Sequence, residues 1–348
     1  MTVLIIGGGL SGLALAEALE RQGKDYLLLE ARARFGGRIK TEHSGTGYFD
    51  MGPAWFWPGQ TRMAALIDRL NLEKFDQFSK GDLAYEDEQG HVQRGRGISS
   101  MEGSWRLKGG IGAMTQALAD RLPDQRKRLN ARVTHLTRSD AGVTTTLSTG
   151  CTVNARRTVL SMPPRIAANV TFDPPLPNAA LTSLQNVATW MAGQAKAIAL
   201  YDTPFWREDG LSGDAQSRRG PMVEIHDASP AQGGPYALFG FIGVPPQHRT
   251  NSDTLHGHLT EQLVRLFGPQ AASPRQLYIK DWAFDPNTAT DADHAPLYAH
   301  PHYGLPPSLA CLWDNDLFLS GTEVAPEFGG FLEGALEAAE NTLKSLEI

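Results

Sequence analysis

The strongest constraint on this chain sits at its beginning. Residues 3–6 form an uninterrupted apolar strand, Gly7-Gly8-Gly9-Leu10-Ser11-Gly12 turns out of it, and an apolar helix follows at once. Each glycine at the motif positions has its own task. Gly7 permits a tight strand-to-helix turn, Gly9 lets a pyrophosphate reach the backbone, and Gly12 lets the helix lie close to the sheet. The helix start, at Leu10 and Ser11, offers unpaired N–H groups and the positive end of its dipole to phosphate. A second apolar strand, residues 26–29, ends on Glu30, close to the interval of about 20 residues expected of the acid that holds a ribose hydroxyl. Together these features require an ADP-containing dinucleotide. A secretory leader would occupy the same place, but no basic residue precedes the apolar run, Glu17 and Glu20 interrupt it, and Arg21 follows in place of a cleavage site.

With 348 residues, two lobes are expected. A formal net charge of −6 gives no electrostatic reason to expect nucleic acid or an anionic membrane as partner. The one compact basic cluster, Arg126-Lys127-Arg128, reads as a solvated loop before a strand. Two cysteines, Cys151 and Cys311, imply no disulfide framework and suit a reducing cytoplasm. No apolar run approaches the roughly 18 residues needed to span a bilayer.

After Glu30, the loop Ala31-Arg32-Ala33-Arg34-Phe35-Gly36-Gly37-Arg38 suits a second backbone approach to the cofactor, with Arg38 as counter-charge. An aromatic loop from Gly52-Pro53-Ala54 through Trp55 and Trp57 leads to a helix over 61–70, apolar at Met63, Leu66, Ile67 and Leu70. Residues 76–104 read as a polar hairpin region. A helix is expected over 113–122, strands over 132–137, 143–148 and 157–160, and a separate α+β lobe from there to about Pro307. A last buried strand, 317–319, precedes Ser320-Gly321-Thr322-Glu323 and a helix over 331–346. Glu333 and Glu337, one turn apart on that helix, read as a solvated face. His294, His300 and His302 lack the regular spacing of a metal site, so no metal is expected. His256 and His258 read as surface residues.

Four segments together resemble the flavin-containing amine oxidases of the monoamine oxidase type. They are the opening strand–helix–strand unit with Gly36-Gly37-Arg38, the loop from Gly52 to Arg62, the stretch Gly193-Gln194-Ala195-Lys196-Ala197-Ile198-Ala199-Leu200-Tyr201 before Pro204-Phe205-Trp206, and Ser320 through Glu340. The resemblance implies an α/β fold: a Rossmann-like FAD-binding domain of the glutathione-reductase/amine-oxidase type with an interleaved α+β substrate domain. The expected division is 1–52, 106–164 and 309–348 for the FAD-binding domain, and 53–105 with 165–308 for the substrate domain. It also implies roles for individual residues. Glu30 should hold the adenosine ribose, Arg38 should lie near the pyrophosphate, and Val133 should touch adenine through its backbone. Glu323 should bond the ribityl or pyrophosphate region, and Gly330-Phe331-Leu332 should bring the Leu332 N–H to the flavin pyrimidine end.

Lys196 is the sharpest single residue. Pattern alone favours a lysine at a strand edge whose ammonium reaches water. The resemblance instead implies a lysine that reaches flavin N5 through a water and assists reaction with oxygen. Phe331 matches one of two aromatic rings that guide the amine, and Tyr298, His300 and Tyr303 are candidates for the other. Trp55 and Trp57 either line the same pocket or pack the lobes together. The resemblance implies that a covalent cysteine, where the family has one, lies in the stretch that supplies the second ring; no cysteine lies between Trp282 and Ala310, so FAD is expected without a covalent link. The chain is about a quarter shorter than a usual family member, and the span from Arg62 to Lys108 has no room for the family's helical insertion. The expected activity is hydride removal from a C–N bond of a small-molecule amine, with electrons passing to O2, in the cytoplasm. The alternatives are a flavin desaturase or NAD(P)H-using dehydrogenase, or a low-turnover FAD-binding protein with an assembly or sensing role.

Overall fold

The computed structural model describes residues 1–346 except Arg96, Ile98, Pro296 and Tyr298. Tyr298, one candidate for the second ring, therefore lies outside the described residues. Five parallel strands form the first sheet, in the spatial order Leu317–Leu319, Arg157–Leu160, Val3–Ile6, Tyr26–Leu29, Lys127–Arg128. The first strand is central and buried along its whole length, which explains why it lacks the alternation of a half-exposed strand. Val3 and Ile5 face helices Leu10–Arg21, Thr61–Leu70, Gly112–Asp120 and Leu332–Ser345. Leu4 and Ile6 face the other way, into a core shared with the four-stranded sheet that carries Leu136, Val143 and Val153.

A seven-stranded sheet makes the second lobe, in the order Gln276–Asp281, Ala195–Tyr201, Tyr236–Ile242, Met222–Asp227, Leu211–Ser217, Asp82–Glu86, Val92–Gly95. The expected 76–104 hairpin supplies its last two strands. Strand Ala195–Tyr201 pairs on both edges and is buried on both faces. Ala195, Ala197, Ala199 and Tyr201 meet helix Ser252–Phe267, whereas Ile198 and Leu200 meet Phe49, Met51 and Trp55 from the first lobe. Sheet alternation therefore decides which side chains of this strand turn toward the first lobe.

Two expectations fail. The basic cluster is not a solvated loop: Lys127–Arg128 is the edge strand beside Tyr26–Leu29. Its charges are met locally, because Arg126 lies 3.0 Å from Asp25 and Lys127 donates to the Ala119 carbonyl at 2.7 Å, at a helix C-terminus. Nor are Glu333 and Glu337 a solvated face. Glu333, 0% exposed, accepts from the Arg62 and Met63 N–H groups at 2.9 and 2.8 Å, and so caps helix Thr61–Leu70. Glu337 accepts from Glu327 N and Phe328 N at 3.2 and 3.0 Å. A cap donated by a distant helix leaves no trace in local periodicity.

Helix ends also shift by a residue or two. The third helix is Gly112–Asp120, and the last is Leu332–Ser345 with Phe331 as its N-cap. Removing the Glu333 carboxylate strands one buried and one part-buried N–H group, so Glu333→Ala should destabilise the apoprotein by about 2 kcal/mol. Glu340→Ala, at a position whose side chain is 52% exposed beside the same Arg62, should cost less than about 0.5 kcal/mol. Urea denaturation of the two variants checks the contrast.

Candidate active site

A cavity of about 580 Å³ runs along the carboxyl ends of the parallel strands and reaches the second sheet. The opening turn builds one end. Gly7 has φ +117°, and a Cβ there would strike the Ser161 carbonyl; a Cβ on Gly12 would strike the carbonyl of Gly7. Gly12 is therefore behind the wall, holding the helix down, while Gly7, Gly9, Leu10 and Ser11 line the cavity. A Cβ on Gly9 would meet no protein atom. Helix Leu10–Arg21 starts with no side-chain cap and no acid in its first turn. Its orphan N–H groups and positive dipole end thus face open space, which suits a phosphate.

Glu30 closes this end. Its carboxylate accepts from Gly8 N at 2.7 Å and Arg32 N at 2.8 Å, and with Ala31, Arg32 and Val133 it lines the cavity. Gly37 and Arg38 follow along the wall. Arg38 Nη1 lies 2.6 Å from Glu323 Oε1, off the hydrogen-bonding direction, and Glu323 Oε2 has no partner. Burial alone would lower the Arg38 pKa, but Glu323 outweighs it and raises the pKa, so the guanidinium stays charged. Glu323 stands behind Arg38, outside the wall. Ser161 Oγ, on the wall, is also buried and has no partner among the described residues. A glycine opening, an uncapped helix start, a half-buried cation and spare acceptors fit the phosphates and ribose of a dinucleotide.

Lys196 dominates the other end. It is not at a sheet edge; it is 5% exposed, on a central strand. Its ammonium donates to the Gly52 carbonyl and lies 4.9 Å from the ring centres of Phe239 and Phe241. Burial lowers its pKa to about 7, with Asp50 opposing the shift. Gly52 has no room for a side chain, because a Cβ would strike the Arg38 carbonyl. Gly52, Pro53, Ala54, Trp55 and Trp57 line the cavity. Trp55 is also packed between the lobes, edge-on to His226 and Phe239 at 5.3 Å, so both readings of it hold.

Phe331 is 41% exposed and lines the cavity with Gly321, Gly330 and Leu332. Among the described candidates, His300 stacks on Phe331, with ring centres 5.1 Å apart and planes 13° from parallel. Tyr303 is fastened elsewhere: its hydroxyl donates to Ala188 O at 2.7 Å and accepts from Trp190 N at 2.9 Å. Sequence reasoning missed Trp190, Met191, Phe241 and Trp282 on the wall, and singled out Gln194 only as part of the Lys196 stretch. Phe241 pairs with Lys196 across the sheet, a register that no single sequence discloses. Cys151 and Cys311 are both exposed and neither lines the cavity. Among the described residues, no group of three His, Cys, Asp or Glu could hold a metal, and no helix is long and apolar enough to cross a membrane.

A family model described as "Flavin containing amine oxidoreductase" matches residues 10–101 and 96–342. The chain is 25% identical to the putative flavin-containing monoamine oxidase AofH of Mycobacterium tuberculosis, over 97% of this chain and 94% of that protein. Its fold is similar to that of putrescine oxidase bound to putrescine, with TM-score 0.82, 21% identity and coverage of 99% and 98%. The cyclohexylamine oxidase of Brevibacterium oxydans gives the same four figures, 0.82, 21%, 99% and 98%.

The shifted lysine makes stability depend on pH. Below about pH 7 Lys196 is charged in the folded and unfolded chains, and the full cost of burying the charge is present. Between pH 7 and the ordinary value of 10.5 the unfolded chain holds the extra proton, so stability rises with pH. Lys196→Met should therefore be more stable than the parent at low pH. Over that window the gap should narrow by on the order of 1 kcal/mol per pH unit. Denaturation of the two apoproteins across the window measures it; a gap independent of pH contradicts the assignment.

Proposed function

The chain belongs to the family of flavin-containing amine oxidoreductases, and from that premise we propose that it oxidises a small apolar monoamine at the Lys196–Phe331 end of the cavity, with O2 as acceptor. It is an FAD-dependent amine oxidase, and the desaturase and low-turnover readings are not favoured. One observation carries the substrate reading. Trp57, Trp190, Met191, Phe241, Trp282 and Phe331 wall this end, and among the described lining residues the only carboxylate is Glu30, at the opposite end and already bonded to Gly8 and Arg32.

When bound, FAD would supply the redox chemistry, the capacity to accept a hydride from the carbon next to the amine nitrogen and to pass the electrons to O2. The protein's residues bind and prepare. Gly9, Leu10, Ser11, Glu30, Arg32, Arg38 and Val133 hold the nucleotide. The final helix, uncapped by any side chain at Phe331, offers its first N–H groups, beginning with Leu332, to the flavin ring. The aromatic wall strips water from an entering ammonium, which favours the neutral amine. No carboxylate is present there to hold it charged. Phe331, with His300 behind it, orients the substrate. Lys196, titrating near pH 7, can hold or give up a proton beside the reacting atoms without rearrangement.

The division into an FAD-binding domain (1–52, 106–164, 309–348) and a substrate domain (53–105, 165–308) is supported by membership of the two main sheets, although Thr171–Asp173 pairs with Val133–Ser139 and helix Thr61–Leu70 packs into the core of the first sheet. The two unpaired, exposed cysteines support a reducing cytoplasm.

Anaerobic mixing of the yellow protein with hexylamine should bleach the flavin band. At low concentration 1,6-diaminohexane should bleach it on the order of 100-fold more slowly, because its second ammonium must shed water without an anionic partner. Bleaching by polyenes or NAD(P)H and by no amine contradicts the function. Equal rates for the two amines contradict the monoamine reading alone. Lys196→Met should keep its flavin and recover its colour in oxygen severalfold or more slowly; an unchanged recovery rate removes Lys196 from that step.

A further inference from the structure

The nucleotide end of the cavity is roofed by the other lobe. After strand Gln276–Asp281 the chain turns back through Trp282, Asp285 and Thr288, and Pro286, Asn287 and Thr288 line the cavity opposite Glu30, Arg32 and Val133. Three side-chain bonds fasten the tip of this turn, residues 285–288, to the first lobe. Arg32 Nη2 donates to Asp285 Oδ1 at 2.5 Å and to Thr288 Oγ1 at 2.9 Å, and Arg132 Nη2 donates to Asn287 Oδ1 at 2.7 Å. The first pair is well shielded, with side chains 14% and 11% exposed.

The turn is also rigid within itself. Asp285 accepts from Asn287 N at 3.1 Å and from Lys280 Nζ at 3.0 Å, and its carbonyl accepts from Thr288 N at 2.9 Å. Trp282 anchors the turn's base by donating its indole N–H to the Met51 carbonyl at 2.9 Å. Among the described residues no cysteine lies on the cavity wall to form a thioether with the cofactor.

We propose that the turn 282–290 is a latch over the adenosine end of FAD, held shut by Arg32–Asp285, Arg32–Thr288 and Arg132–Asn287, and that it must open for the cofactor to enter or leave. Asp285 is its keystone, and Asp285 does not itself line the cavity. It is therefore a positioning residue: its removal acts on FAD through the closure and through the Arg32 side chain that it holds. Burial pushes the Asp285 carboxyl up, but Arg32 and Lys280 outweigh that and hold it below the ordinary range. The ion pair is therefore present at neutral pH.

A gate and a simple contact differ in their kinetics. Losing a contact speeds release and leaves entry alone, whereas opening a gate speeds both. Holo-protein of the parent and of Asp285→Ala would be diluted, with the rise in flavin fluorescence reporting release. Apoprotein mixed with FAD would report entry by quenching. The latch predicts that both rates rise, on the order of tenfold each, with a much smaller change in Kd. Thr288→Val, which keeps shape and removes one hydroxyl bond, should raise both rates by a smaller factor and serves if Asp285→Ala does not fold. Faster release with unchanged entry, or no change in either rate, overturns the proposal.

Discussion

The close approach of Gly7 and Gly12 is the constraint from which the rest follows. Gly7 leaves the central strand under the Ser161 carbonyl, and Gly12 sits against Gly7 itself, so neither position has space for one more carbon. That packing fixes the start of helix Leu10–Arg21 at the carboxyl end of the sheet. The neighbouring strands end at the same level: Ser161 N donates to Ile6 O, Ser320 N donates to Leu160 O, and Ser11 and Ser320 share a hydrogen bond at 2.8 Å. The first strand has the second on one side and strand Arg157–Leu160 on the other, so the strand order reverses there. Ligands of open α/β sheets bind at such a crevice.

Lys196 extends this crevice into the second lobe. A buried ammonium is costly, and the chain keeps it by giving it the Gly52 carbonyl and two aromatic faces while its pKa falls to about 7. The same bond fastens the Gly52–Ala54 loop, whose Gly52 packs against the Arg38 carbonyl. Arg38 is in turn paired with Glu323 on the last strand–helix connection, so the Gly52 loop lies close to both the substrate sheet and the C-terminal segment. The nucleotide end and the aromatic end are thus parts of one cavity.

The sequence made the first lobe legible because its signals are local. Strand Val3–Ile6, strand Tyr26–Leu29 and helix Thr61–Leu70 fall where periodicity and the glycine turn put them. Long-range features were not legible. Lys127–Arg128 looks like solvated charge until its pairing with Leu28 and Leu29 is known, and Glu333 looks exposed until the start of another helix is laid against it. Most of the aromatic wall escaped notice for the same reason, since Trp190, Phe241 and Trp282 converge from three places in the chain. Of the three candidates for the second ring, Tyr298 lies outside the described residues, and of the other two His300 stacks on Phe331 while Tyr303 is bonded elsewhere, contacts that no single sequence discloses.

The central claim is that the open space beside Gly9 is where the cofactor's phosphates lie. Gly9 has φ −74° and ψ −177°, a conformation open to any residue, and a side chain there would point away from all protein atoms. Titrating FAD into the Gly9→Val apoprotein is the most direct measurement. The account predicts a chain that unfolds at the parent's temperature and no longer binds FAD. Binding with the parent's affinity and stoichiometry would contradict it.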